Sequence, residues 1–161
     1  MKKPVIITLC TLSLIIASLA WWFSDSQVVK RQTHELTRLL TVASTDGKST
    51  RALKNQNFTS LLSPAVSGHV DLPDYQSDFG HSDLVSAHHS LVHLCRSASV
   101  TPSNLKISKP EQNRASVTAD LDLSVTEKDE TRHDETCQAT LIWQKNDQGK
   151  WKLSLIEIKA R

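Results

Sequence analysis

The longest run of alternating hydrophobic and polar positions lies between Arg114 and Lys159. From Arg114 to Thr126, the residues Ala115, Val117, Ala119, Leu121, Leu123 and Val125 alternate with polar neighbours. A strand points successive side chains to opposite faces, so this period of two predicts one apolar and one wet face. Glu127 to Glu135 is charged and reads as an exposed connection. Beyond it, Cys137, Ala139, Leu141 and Trp143 share one face, as do Trp151, Leu153 and Leu155. Pairing Trp143 with Trp151 brings both sets to one side and leaves a connection of odd length, such as Lys145 to Gly149. Gly149 then supplies the positive φ such a loop needs. That register puts Glu157 opposite Cys137 on the apolar face and leaves Ile142, Ile156 and Ile158 on the outer one. Three isoleucines are more aliphatic surface than a solvated face requires, so they are an interface candidate for a homodimer or another protein partner.

The apolar face of this meander needs a cover, and the preceding segments predict one. Val28, Val29, Leu36, Leu39, Leu40 and Ala43 have the spacing of an amphipathic helix, capped within Ser24 to Ser26, with a lapse at Gln32. A shorter helix is predicted from Thr50 to Leu62, stopped by Ser63-Pro64. Val66 to Leu72 reads as a short strand and Pro73 to Gly80 as a loop. A third helix starts at Ser82 and ends by Ser97 to Ser99, its buried stripe including Leu84, His88, Leu91, Val92 and Cys95. Thr101 to Ile107 reads as a strand.

Upstream of these elements, Lys2 and Lys3 precede an uncharged run from Pro4 to Phe23. Twenty helical residues span roughly 30 Å, the hydrocarbon thickness of a bilayer. Residues 1–24 are therefore expected to be a signal anchor, a single transmembrane helix with the lysines in the cytoplasm and Trp21-Trp22-Phe23 at the far interface. The C-terminal domain would then be periplasmic or extracellular, at the inner (cytoplasmic) membrane. Ser18-Leu19-Ala20 offers the alternative of cleavage near Ala20 and secretion. The chain has 19 Lys and Arg against 17 Asp and Glu, and Lys2 and Lys3 are the whole excess. A neutral domain without a basic block lacks the electrostatic footprint of nucleic-acid binding, so no nucleic-acid partner is expected.

The order of these elements, together with Leu61-Leu62-Ser63-Pro64-Ala65-Val66, Gly80-His81-Ser82-Asp83-Leu84 and Asp147-Gln148-Gly149-Lys150-Trp151-Lys152-Leu153, resembles the nuclear transport factor 2-like superfamily, which includes SnoaL-like proteins. The resemblance covers about Val28 to Arg161, so the domain is taken as residues 28–161. It implies an α+β fold, a cone-like curved antiparallel sheet wrapped around three helices, with a cavity between them. It implies no activity, because the superfamily holds isomerases, dehydratases and cyclases beside non-enzymatic binding and assembly modules.

An enzyme on such a fold needs polar groups inside the cone. The weak candidates are His88 on the third helix, Glu157 on the last strand and Tyr75 before that helix, as proton-transfer pair and oxyanion donor. The superfamily's isomerases and dehydratases carry Asp or His within their strands, whereas Arg114 to Thr126 has no such inward residue. A non-catalytic interaction or assembly module is therefore the favoured reading, with a small-molecule binder or isomerase/dehydratase-like enzyme as the alternative. No cofactor motif is present. His89 and His93 have metal-ligand spacing on the polar side of their helix, but lack third and fourth ligands, so no metal site is expected. Cys95 and Cys137 both point to the apolar side of packed elements and are the disulfide candidate for an exported domain.

Overall fold

The computed structural model describes Ser18, Trp22, 24–108 and 110–161. Three helices and six strands follow one another: α1 Asp25–Leu40, α2 Lys48–Leu61, β1 Leu62–Leu72, β2 Tyr75–Phe79, α3 His81–Leu94, β3 Cys95–Ile107, β4 Arg114–Glu127, β5 Arg132–Lys145 and β6 Trp151–Ala160. The strands form one curved sheet in the order β2, β1, β6, β5, β4, β3. All neighbours are antiparallel except β1 and β6, which are parallel and join the first strand to the last. The expected anchor falls outside the described residues, apart from Ser18, Trp22 and Ser24. Among the described residues, no helix is long and apolar enough to cross a membrane.

Helix α1 forms where Val29, Thr33, Leu36 and Leu39 recur at helical spacing, and these four are its buried face. Asp25 in its first turn favours the positive end of the helix dipole. It also accepts a hydrogen bond of 3.0 Å from Lys145 Nζ and one of 3.2 Å from Trp151 Nε1, tying the helix start to the β5–β6 hairpin. Helix α3 opens on Gly80, whose backbone N–H donates to Asp83 Oδ2 at 2.9 Å. It closes against α2, where Arg51 donates to the carbonyl oxygens of Val92, Cys95 and Arg96. The Val92 carbonyl lies in the last turn, where a helix end leaves carbonyls without partners, and the other two open β3.

Several of the expected boundaries move, among them the start of β1, which begins at Leu62 and takes in Ser63 and Pro64. Pro73 to Gly80 is not all loop: Leu72 pairs with Tyr75 around Pro73 and Asp74, and β2 continues as an edge strand to Phe79. Pro73 gives up no ladder hydrogen bond there because it sits in the turn. The serines at 97 and 99 do not end a helix in a loop but lie within β3, which begins directly at Cys95. Polar residues are tolerated there because positions 97 and 99 share the face opposite the buried Ala98.

The register of the last hairpin is corrected as well. Trp143 pairs with Leu153, not Trp151, and Trp151 stands opposite Lys145. The loop between the strands runs from 146 to 150, with Gly149 at φ +72°. Asn146 Oδ1 accepts from the backbone N–H groups of Gln148 and Lys150, which lets a five-residue loop close tightly. Further along, Ile142 pairs with Leu155 while Trp143 pairs with Leu153, so β6 contributes two residues where β5 contributes one. Ser154 is the extra residue of a β-bulge, and every side chain after it changes face.

The main core sits at the hairpin end of the cone. Trp143 and Leu153 are fully buried there with Val29, beside Trp151, Leu36 and Phe58. Each such side chain contributes about 1.5–3 kcal/mol by leaving water. A second cluster, Val42, Val92 and Ala98, closes the opposite side, where Val42 and Ala98 exchange backbone hydrogen bonds of 2.7 and 2.9 Å.

Candidate functional site

Between the two clusters the helices stand off the sheet and leave a cavity of about 360 Å³. Its sheet wall consists of β3, β4, β5 and β6, through residues such as Val100, Val117, Ala119, Ala139, Leu141, Ile156 and Ile158. Its helical wall comes from the C-terminal half of α1, from Phe58 of α2, and from Leu84, Ala87, His88 and Leu91 of α3. Ala87 is solvent-exposed and also part of the wall, so the cavity meets the surface beside it.

The bulge at Ser154 decides what lines this space. Without it, Glu157 would face inward and Ile156 and Ile158 outward, as the unbroken alternation predicts. With it, Ile156 pairs with Leu141, Ile158 pairs with Ala139, and both isoleucines enter the cavity wall. The interface expectation for Ile156 and Ile158 is thereby corrected. Ile142 does lie on the outer face, but is only 9% exposed. Glu157 stands opposite Thr140 and next to His69 on the outer face, outside the cavity. A sequence signal for the bulge exists: Leu155 and Ile156 are adjacent apolar residues, where a regular half-buried strand would alternate.

The three catalytic candidates do not converge. Tyr75 begins the edge strand β2 and is 53% exposed, outside the cavity wall. His88 alone reaches the cavity, and it is 3% exposed. Its ring stacks on Phe58 with centroids 4.1 Å apart and planes 4° from parallel. Nε2 lies 3.1 Å from the Leu39 carbonyl oxygen and Nδ1 lies 3.0 Å from Asn55 Oδ1.

Burial pushes the His88 pKa below its ordinary value; the Leu39 carbonyl opposes this and the Lys54 charge adds to it. The neutral ring carries one proton, and a carbonyl can only accept. The proton therefore sits on Nε2, and Nδ1 accepts from the Asn55 NH2 group, with the amide turned to suit. Both nitrogens are thus engaged in tying α3 to α1 and α2, which leaves no lone pair or proton for a substrate. The Thr33 and Thr37 hydroxyls in the wall are also engaged, donating to the Val29 and His34 carbonyls at 2.9 and 2.8 Å.

The remaining predicted residues lie elsewhere. His89 and His93 have ring centroids 4.3 Å apart on the outer side of α3. Cys95 and Cys137 are free thiols. Cys95 pairs with Glu127 and Cys137 with Leu121, positions six residues apart on β4. At about 3.3 Å per residue the separation is roughly 20 Å, far beyond the roughly 7 Å limit between bridged Cα atoms. The disulfide expectation is corrected on that ground. Both cysteines do face packed surroundings, and burial raises the pKa of each.

A six-stranded curved sheet around three helices, with an interior cavity, is the nuclear transport factor 2-like fold. The solved structures it resembles include a protein from Novosphingobium aromaticivorans assigned as a scytalone dehydratase, at 15% identity and TM-score 0.64 over 84% of this chain and 83% of that one. A protein assigned as a dehydratase of the nuclear transport factor 2-like family, from Streptomyces avermitilis, has 12% identity and TM-score 0.64 over 85% and 96%. The association domain of CaMKII from C. elegans has 14% identity and TM-score 0.56 over 82% and 92%. These likenesses establish the fold, which carries both enzyme-like proteins and an assembly domain. No protein-family model and no curated protein sequence matches the chain.

Proposed function

We propose that the domain is a non-catalytic binding module that holds a small apolar molecule in its cone, tethered to a membrane by residues 4–23 with the globular part on the periplasmic or extracellular side. One observation carries the binding reading: a cavity of about 360 Å³ walled by aliphatic side chains, whose polar wall groups are all engaged elsewhere. Ligand pockets have this size range and this apolar character. A proton-transferring enzyme would need a group free to accept or donate next to the substrate, and His88 is not free.

Thermal unfolding of the full chain tests the reading. A molecule that binds only the native state raises the Tm in a saturable, concentration-dependent way. Apolar compounds of cavity size should do so for the unaltered chain and for His88→Gln alike. A Tm insensitive to every such compound overturns the proposal. The tether has its own test, since a soluble product beginning at Trp21 in cell fractions would replace it with secretion.

Assembly is a second reading, favoured by Leu155 beside Ile142 on the outer sheet face and by the likeness to an association domain. It predicts a homodimer in sedimentation that Leu155→Lys dissociates. A monomer at all concentrations would remove it.

A further inference from the structure

Resting on the apolar-ligand reading, the shape and lining of the cavity narrow the ligand to a class. We infer that the cavity takes a single flexible alkyl chain of about a dozen carbons, with any polar head left at the surface beside Ala87. Two features separate a chain from a flat ring system. First, the cavity offers a planar molecule little aromatic surface. Phe58 and His88 are the two rings in its wall, and they stack on each other at 4.1 Å, so a face of each is already covered. Second, the sheet wall alternates Ala119 and Ala139 with Leu141, Ile156 and Ile158, a surface of methyl-sized steps that a chain can follow by rotating its bonds. A rigid plane would leave gaps on such a surface, and gaps forfeit dispersion contacts.

The length comes from the volume. A methylene is close in size to a water molecule, whose share of liquid volume is about 30 Å³, so 360 Å³ holds about twelve. The position of the head comes from the hydrogen bonds. With the Thr33 and Thr37 hydroxyl protons and both His88 nitrogens engaged, these side chains offer no donor to the cavity, and a buried carboxylate would lose its water without replacement. The head therefore stays in water at the opening, and the chain, not the head, sets the affinity.

The test is photolabelling of the full chain with two probes, an alkyl diazirine of twelve carbons and a rigid aryl diazirine, with sites mapped by peptide mass spectrometry. The alkyl probe should label cavity-lining peptides of α3 and β4–β6, and the aryl probe should not. Linear alcohols should compete about fourfold better per added methylene up to about twelve carbons, then level off. The matching carboxylic acids should compete within about threefold of the alcohols, because the head contributes little. Ala139→Phe, checked for folding by circular dichroism, should lose the labelling. Aryl labelling of the cavity without alkyl labelling would overturn the chain inference and leave the apolar-ligand reading standing. Cavity peptides labelled by neither probe would overturn both.

Discussion

Ser154 Oγ donates a hydrogen bond of 3.1 Å to the carbonyl oxygen of Ile142, across the step where β6 carries one residue more than β5. This bond fastens the bulge that turns Ile156 and Ile158 into the cone and Glu157 out of it. Removing the hydroxyl in Ser154→Ala should cost about 0.5–1.5 kcal/mol of stability, the net worth of one hydrogen bond. Deleting Ser154 altogether should still allow folding, because it leaves a regular strand with the same pairs, Ile156 and Ile158 inward and Glu157 outward. Urea unfolding checks both: a lower midpoint with an unchanged slope for the substitution, and a retained cooperative transition for the deletion.

Acid should weaken the domain through His88. Its folded pKa lies below the ordinary value of about 6.5, so the unfolded chain binds a proton first as the pH drops. Stability is therefore unaffected by this group above that value and is lost as the pH falls from about 6.5 toward the folded pKa. Lys54 and His89 are the charged and titratable neighbours that act on it, and both disfavour the imidazolium. Urea midpoints at pH 7.5 and pH 5 should differ more for the unaltered chain than for His88→Gln. Equal differences would assign the acid sensitivity to other groups.

Among the described residues, two buried side-chain polar atoms have no hydrogen-bond partner, Gln32 Oε1 and Trp143 Nε1. An unsatisfied buried acceptor costs about 1–3 kcal/mol. Gln32→Leu should therefore hold or raise stability, by up to about 1 kcal/mol, since leucine also suits the helix. A loss of stability would mean that the amide is satisfied by water in solution.

Most of the architecture is legible from periodicity. The alternation from Ala115 to Val125 assigns the inner face of β4 correctly, and Cys137 to Trp143 does so for β5, because both strands are regular there. What periodicity misses is where a strand departs from period two. One extra residue at Ser154 inverts the second half of β6, and with it the inside and outside of Glu157, Ile156 and Ile158. Edge strand β2 is missed for another reason: its sequence, Tyr75-Gln76-Ser77-Asp78-Phe79, lacks the apolar alternation of a half-buried strand. His88 is found by its helical face, but its engagement with Leu39 and Asn55 depends on residues 49 and 33 positions away.

The thiols offer a separate check on the packing. Cys95 and Cys137 should titrate with Cys10 as three free thiols once the full chain is unfolded without reductant. In the folded protein Cys137, 1% exposed and with its pKa raised by burial, should react slowest among the described cysteines. Electrophoretic mobility should be the same with and without reductant. A reductant-dependent shift, or a missing thiol, would contradict the strand register that separates the two.

The central claim is that the cone beyond Ser154 is an apolar ligand space with Glu157 outside it. Thiol modification of Glu157→Cys and Ile158→Cys, followed at those peptides by mass spectrometry with and without a twelve-carbon alcohol, tests it most directly. The thiol at position 157 should react readily and at the same rate in both conditions, whereas the one at position 158 should react slowly and be protected further by the alcohol. Protection at 157 and indifference at 158 would contradict it.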